Sequence, residues 1–161
     1  MVFDHLCLID DIPECQRLHY LQMALEKAAK AFFWSGSGAK QVLSKVNTSH
    51  DVVETHLPKL YMHYQARLKR VIPGAWMREV RLFCREIDRL APANERLLRP
   101  DNCEYPWPVL DPTGEVERVL SPLDHEFSTS SLRRRPGPVR DFLKVVRSSI
   151  QKMALTNEAM A

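Results

Sequence analysis

Apolar positions recur at a helical period in four stretches of the chain. Over residues 14–34, Leu18, Leu21, Leu25, Ala28, Ala29 and Phe32 form one stripe, and Arg17, Gln22, Glu26, Lys27 and Lys30 fill the remaining arc. Asp10 or Asp11 can cap this helix, Pro13 suits its first turn, and Ser35-Gly36-Ser37-Gly38 marks its stop. A second helical region opens near Thr48 and Ser49, both cap candidates, with Asp51 close to the positive end of the helix dipole. Its stripe is Val53, Leu57, Leu60, Tyr64, Leu68 and Val71. Pro58 lies inside it, which predicts a kink or restart near Leu57 because proline removes a backbone donor and crowds the preceding turn. After the Pro73-Gly74 turn a third helix is expected over 75–91, with Trp76, Val80, Phe83, Cys84, Ile87 and Leu90 inward and Pro92 ending or kinking it. The last is expected over 139–155, with Val139, Phe142, Leu143, Val146, Ile150 and Met153 inward and a frayed tail over 156–161.

Between the third and last helices the periodicity disappears. Residues 100–138 hold Pro100, Pro106, Pro108, Pro112, Pro122, Pro136 and Pro138, and read as one long irregular loop, to which 115–120 can add a short extended segment. Four stripes bury best against one another. The expected fold is therefore all-α: one domain over 1–161, built as a four-helix up-and-down bundle with the Pro-rich loop lying across it.

Composition narrows the class further. With 45% hydrophobic and 27% charged residues the chain has the make-up of a globular protein. No apolar run reaches the roughly 20 residues that span a bilayer, and the first residues lack the basic start of a secretory signal. Cys7, Cys15, Cys84 and Cys103 are dispersed, with no C-x-x-C pair, which fits reduced thiols in a cytoplasmic protein better than disulfides or a zinc site. The net charge is +3, but residues 131–152 alone carry +6, from Arg133, Arg134, Arg135, Arg140, Lys144, Arg147 and Lys152 against Asp141. That asymmetry suits an anionic partner, RNA or a phosphate group; the alternative is a solvated helix face.

Several segments, taken in order, carry a family resemblance. Arg17-Leu18-His19-Tyr20-Leu21 and Ala24-Leu25-Glu26-Lys27-Ala28-Ala29-Lys30-Ala31-Phe32 look like the first long HEPN helix. Ser49-His50-Asp51-Val52 resembles the step that opens the second helix. Glu104-Tyr105-Pro106-Trp107 resembles the Arg-Tyr-Pro-Asp loop of one branch, and an amphipathic helix follows it, as in that branch. The resemblance covers about 14–153 and implies a helical bundle. It also implies a homodimer or a complex with the product of a neighbouring gene, and a setting in bacterial toxin–antitoxin or anti-phage defence. Active members are metal-independent endoribonucleases with an Arg, four to six residues, then a His; inactive relatives bind nucleotides.

Only Arg118 and His125 meet that spacing, and an arginine-rich chain produces such pairs by chance. His50, Asp51, Arg118 and His125 are the catalytic candidates, able to move protons and meet a phosphate if the loop folds over the second helix. Capping alone also explains His50 and Asp51. His56 and His63 share a helix face but lack two further zinc ligands, so no metal and no cofactor is expected. The anion-binding candidates are Lys30, Tyr105, Trp107, Arg133, Arg134, Arg135 and Arg140, the two aromatics either stacking on bases or pinning the loop. Glu26 and Lys30 form an i, i+4 pair, read as surface support or part of a polar cleft. Trp76, Tyr61 and Phe33 are interface candidates at stripe edges. The expected function is a non-catalytic module binding nucleotide or RNA; the alternatives are an endoribonuclease and a scaffold subunit.

Overall fold

The computed structural model describes residues 12–36, 52–91, 102–123 and 137–158, with side chains given for 12–33, 52–91, 102–123 and 137–152. Among them are four helices and one antiparallel hairpin: α1 (Glu14–Gly36), α2 (Val52–Arg67), α3 (Gly74–Arg89), β1 (Trp107–Leu110), β2 (Val116–Leu120) and α4 (Gly137–Glu158). The protein is mostly helical. α1 packs on α2, α2 on α3 and on α4, and α3 on α4.

One core joins all four helices. Leu18, Leu21, Leu25, Ala28 and Ala29 of α1 meet Val53, Leu57, Leu60 and Tyr61 of α2, Val80, Phe83, Cys84 and Ile87 of α3, and Val139, Phe142, Val145 and Val146 of α4. Phe142 is central, edge-on to Tyr61 at 5.8 Å and to Phe83 at 5.9 Å. Burial of each such side chain contributes about 1.5–3 kcal/mol, which is what makes a striped helix fold onto its neighbours.

α2 departs most from its sequence reading. It runs unbroken through Pro58, whose ring is buried. It stops at Arg67, so Leu68 and Val71 are exposed rather than inward. The stop is a Schellman turn: Arg70 N–H donates to the Gln65 carbonyl and Lys69 N–H to that of Ala66, with Lys69 at φ 54°. The buried face instead turns through Tyr61 and Gln65, so Tyr61 belongs to the core and not to an interface. Phe33 is half-buried against His56, ring centroids 5.0 Å apart. On α3, Trp76 lies 40% exposed in the first turn rather than inward, and on α4 Ile150 is exposed while Val145 and Ser149 take the buried positions.

The start of α2 is capped from another helix. The buried carboxylate of Asp88, on α3, accepts the N–H of Val53 at 3.2 Å and of Glu54 at 2.7 Å. Arg85, one turn earlier, holds the Glu54 carboxylate, Nη2 to Oε1 at 2.6 Å. Thr48, Ser49 and Asp51, the local cap candidates, lie outside the described residues.

The stretch expected to be irregular contains the hairpin. Trp107 pairs with Leu120, Pro108 with Val119, Val109 with Arg118 and Leu110 with Val116, with a bulge between Val109 and Leu110. Asp111 makes the turn: its Oδ1 accepts the Thr113 and Glu115 N–H groups, and Gly114 takes φ +89°, open to glycine without strain. Proline on β1 is tolerated because a two-stranded sheet has only edges. Trp107, 5% exposed, fixes the hairpin to the core.

Candidate anion-binding surface

α4 presents its basic residues away from the core. Val139, Phe142 and Val146 are buried, and Arg140, Lys144, Arg147 and Gln151 form the opposite, exposed stripe at i, i+4, i+7 and i+11. Lys152 lies off that stripe, its ammonium 5.6 Å from the centre of the Tyr64 ring. Asp141, the acid of this segment, is turned towards α2: its Oδ2 accepts the Tyr61 hydroxyl at 2.7 Å and the Gln65 amide at 3.0 Å. Burial, with the Asp141 carboxylate beside it, pushes the Tyr61 hydroxyl up to about 12. The acid within the basic segment is thus engaged in packing against α2, while Arg140, Lys144 and Arg147 lie on the exposed side.

The remaining sequence candidates divide. Arg140 is exposed, as an anion ligand requires. Tyr105 is 57% exposed, while Trp107, two positions further along the same motif with Pro106 between, is buried; of the two aromatics only Tyr105 presents its ring to solvent. Asn102 sets this difference. Its Oδ1 accepts the N–H groups of Glu104 and Tyr105, and its Nδ2 donates to the Tyr105 carbonyl, a tight side-chain turn that throws Tyr105 outward. His19 Nδ1 on α1 lies 3.3 Å from Glu104 Oε1, so this loop also rests against α1. Lys30 is paired: Gln22, Glu26 and Lys30 form a ladder along α1, with Lys30 Nζ 2.5 Å from Glu26 Oε1 and both side chains about seven-eighths buried. That pairing removes Lys30 from the open cations. It also places the Glu26–Lys30 pair in a polar seam rather than on the surface.

Arg118 is exposed on β2, opposite Val109. His50, Asp51, His125, Arg133, Arg134 and Arg135 lie outside the described residues. What the described residues do establish is the state of the α2 terminus. A helix start attracts phosphate through unpaired N–H groups, and two of those groups are already taken by Asp88. The same pairing takes the amides that Asp51 would otherwise cap.

α3 supplies basic residues that the charge count over the chain concealed. Arg78, Arg81, Arg85 and Arg89 are all exposed, but Glu79, Glu86 and Asp88 lie between them in sequence and mask the excess. Their helical spacing was the available signal.

Three thiols are buried and unpaired by disulfides: Cys15, Cys84 and Cys103. Burial raises Cys84 and pushes Cys103 up to about 12, and the Cys103 thiol donates to the Leu90 carbonyl at 3.3 Å. Neither thiol is a nucleophile in this setting. Among the described residues no three His, Cys, Asp or Glu side chains are grouped to hold a metal ion, and no helix is long and apolar enough to cross a membrane. Comparison with protein-family models, curated proteins and solved structures gave no match.

Proposed function

We propose that the chain is a non-catalytic, HEPN-like module that binds RNA or a nucleotide through the basic face of α4, with Arg133, Arg134 and Arg135, which precede that helix in the sequence, as further anion ligands. The exposed Arg140–Lys144–Arg147 stripe, facing away from the core, carries this reading. Guanidinium groups bind phosphate oxygens in pairs, and among the described side chains of α4 no acid shares the face of Arg140, Lys144 and Arg147, which concentrates anions there. Tyr105, held outward by Asn102, adds a ring on which a base can stack. Packing of each helix on the next in chain order supports an up-and-down four-helix bundle. The HEPN resemblance adds a two-fold dimer or a neighbouring-gene partner, and a role in bacterial defence.

The test is a titration with single-stranded RNA and with ATP at two salt concentrations, beside an RNA-cleavage assay. Arg140→Ala/Lys144→Ala/Arg147→Ala should weaken binding and flatten its salt dependence, since each phosphate neutralised releases counterions. A triple variant that binds like the parent makes the stripe a solvated surface. Cleavage by the parent that disappears in His125→Ala replaces the binding reading with an endoribonuclease, and absence of any anion binding leaves the scaffold.

A further inference from the structure

α3 is divided lengthwise. Val80, Phe83, Cys84 and Ile87 form its buried side, and Arg78, Arg81, Arg85 and Arg89 occupy the other at i, i+3, i+7 and i+11. No acid shares that exposed arc: Glu79 and Glu86 are half-buried at its border, and Asp88 is buried against the start of α2. Arg85 is held by Glu54, and no ion pair joins Arg78, Arg81 or Arg89 to a carboxylate among the described residues. The row extends along about 16 Å of helix, at 1.5 Å of rise per residue. All four cations are arginine, the residue whose planar fork matches phosphate oxygens two at a time. Leu82, 41% exposed, sits among them as an apolar contact.

We propose that this arginine row is a second phosphate-binding surface and that the ligand is an RNA strand of several nucleotides, not a mononucleotide. The inference rests on the anion-binding reading of α4 and deepens it. Phosphates follow one another about every 3.4 Å along each strand of a duplex and lie farther apart in an extended single strand, so the row meets several consecutive phosphates and at most about five. The phosphates of one nucleotide meet a fraction of it. α3 and α4 are neighbours through Phe83 and Phe142, whose rings lie 5.9 Å apart, and both basic rows lie opposite their own buried stripes. Helices in such contact lie roughly 8–10 Å apart, so a flexible strand that covers one row can continue to the other.

The experiment compares the full chain with two variants, Arg78→Gln/Arg81→Gln/Arg89→Gln on α3 and Arg140→Ala/Lys144→Ala/Arg147→Ala on α4. Arg85 is kept because it holds Glu54. The probes are a single-stranded RNA of about 15 nucleotides, long enough to cover both rows, ATP, and poly-glutamate. The α3 variant should bind the RNA about tenfold more weakly and lower the slope of log affinity against log salt by about 2, three phosphates at about 0.7 each. ATP should not displace the RNA. A matching Arg→Lys triple on α3 should keep the parental slope. RNA binding lost in the α4 variant but unchanged in the α3 variant overturns the arginine row and leaves the α4 reading standing. So does displacement of RNA by ATP at equal concentration, or an equal fall of slope in the Arg→Lys triple. A parent that binds no RNA overturns both, and its binding of poly-glutamate would then assign the row to an acidic protein partner.

Discussion

The carboxylate of Asp88, near the end of α3, accepts the backbone N–H of Glu54, in the first turn of α2, at 2.7 Å. A second oxygen takes the N–H of Val53, so one buried side chain both caps α2 and fixes its angle to α3. Asp88→Ala removes a charged acceptor from two amides in a buried setting. The expected loss is about 2–3 kcal/mol, between a lost helix cap and a stranded pair of donors. Asp88→Asn, which keeps one acceptor oxygen, should recover about half. Urea unfolding of the three proteins measures this, and equal stability of Asp88→Ala and the parent would remove the cap from the account.

Tyr61 and Asp141 make the corresponding link between α2 and α4. Since the Tyr61 hydroxyl is pushed up to about 12 from an ordinary 10, the folded chain keeps a proton that the unfolded chain gives up. The stability this contributes is fully present below about 10 and is lost as pH rises through about 12. Near-ultraviolet absorbance should show one of the four tyrosines ionising late, in step with alkaline unfolding. In Tyr61→Phe the late step should vanish. Ionisation of Tyr61 near pH 10 in the folded protein would contradict the buried Tyr61–Asp141 bond.

How much of this was written in the sequence depends on which forces were local. α1, α3 and α4 are amphipathic by spacing, and Leu18, Val80, Phe83 and Phe142 are buried where their stripes put them. The end of α2 was not legible, because its stop uses a lysine in a conformation usually given to glycine, and nothing about Lys69 announces that. Nor was its start, since the cap arrives from Asp88, 34 positions away from Glu54. The hairpin was half visible: residues 115–120 read as extended, but β1 carries two prolines nearby and one within, and proline speaks against a strand unless the strand is an edge. At the candidate site, Arg140 was legible from charge density. The α3 arginines were not, because a net count averages the exposed and buried sides of a helix, whereas a ligand meets only one.

Lys69 therefore offers a direct test of the α2 stop. A residue with a side chain at φ 54° carries a conformational cost of about 1 kcal/mol that glycine escapes. Lys69→Gly should raise stability by up to about 1 kcal/mol, although it removes an exposed charge and adds freedom to the unfolded chain. Lys69→Val should lower stability, as a β-branched residue resists that region most. Thermal melts suffice, and a destabilised Lys69→Gly would mean that the turn is not formed.

Gly114 and Asp111 should control the hairpin as a unit. Hydrogen bonds from the Thr113 side chain and from backbone N–H groups hold the Asp111 carboxyl below its usual range. Its folded value is depressed, so the turn's support is present above the ordinary carboxyl range and fades as pH falls through the lower folded value. Gly114→Ala meets no steric neighbour but must adopt φ +89°. In both Asp111→Ala and Gly114→Ala, the amides paired between β1 and β2 should exchange faster with solvent while those of α3 are unchanged. Loss of protection spread across the helices would instead make the hairpin part of one cooperative unit.

Tyr105 and Trp107 should separate binding from folding, two positions apart in one motif. Trp107 is in the core, and Trp107→Ala should cost about 3–5 kcal/mol by leaving a cavity and releasing the hairpin. Tyr105 is 57% exposed, and its backbone is held by Asn102 whatever its side chain, so Tyr105→Ala should leave the unfolding midpoint within about 0.5 kcal/mol of the parent. If a base stacks on the ring, RNA affinity falls by about 1–3 kcal/mol, a loss of roughly 5- to 150-fold, with the salt slope unchanged because no charge is removed. Tyr105→Phe should bind as the parent does, since stacking needs the ring and not the hydroxyl. The pair of measurements has a clear adverse result: RNA affinity equal in Tyr105→Ala and parent takes Tyr105 out of the binding surface and leaves recognition to the basic rows alone.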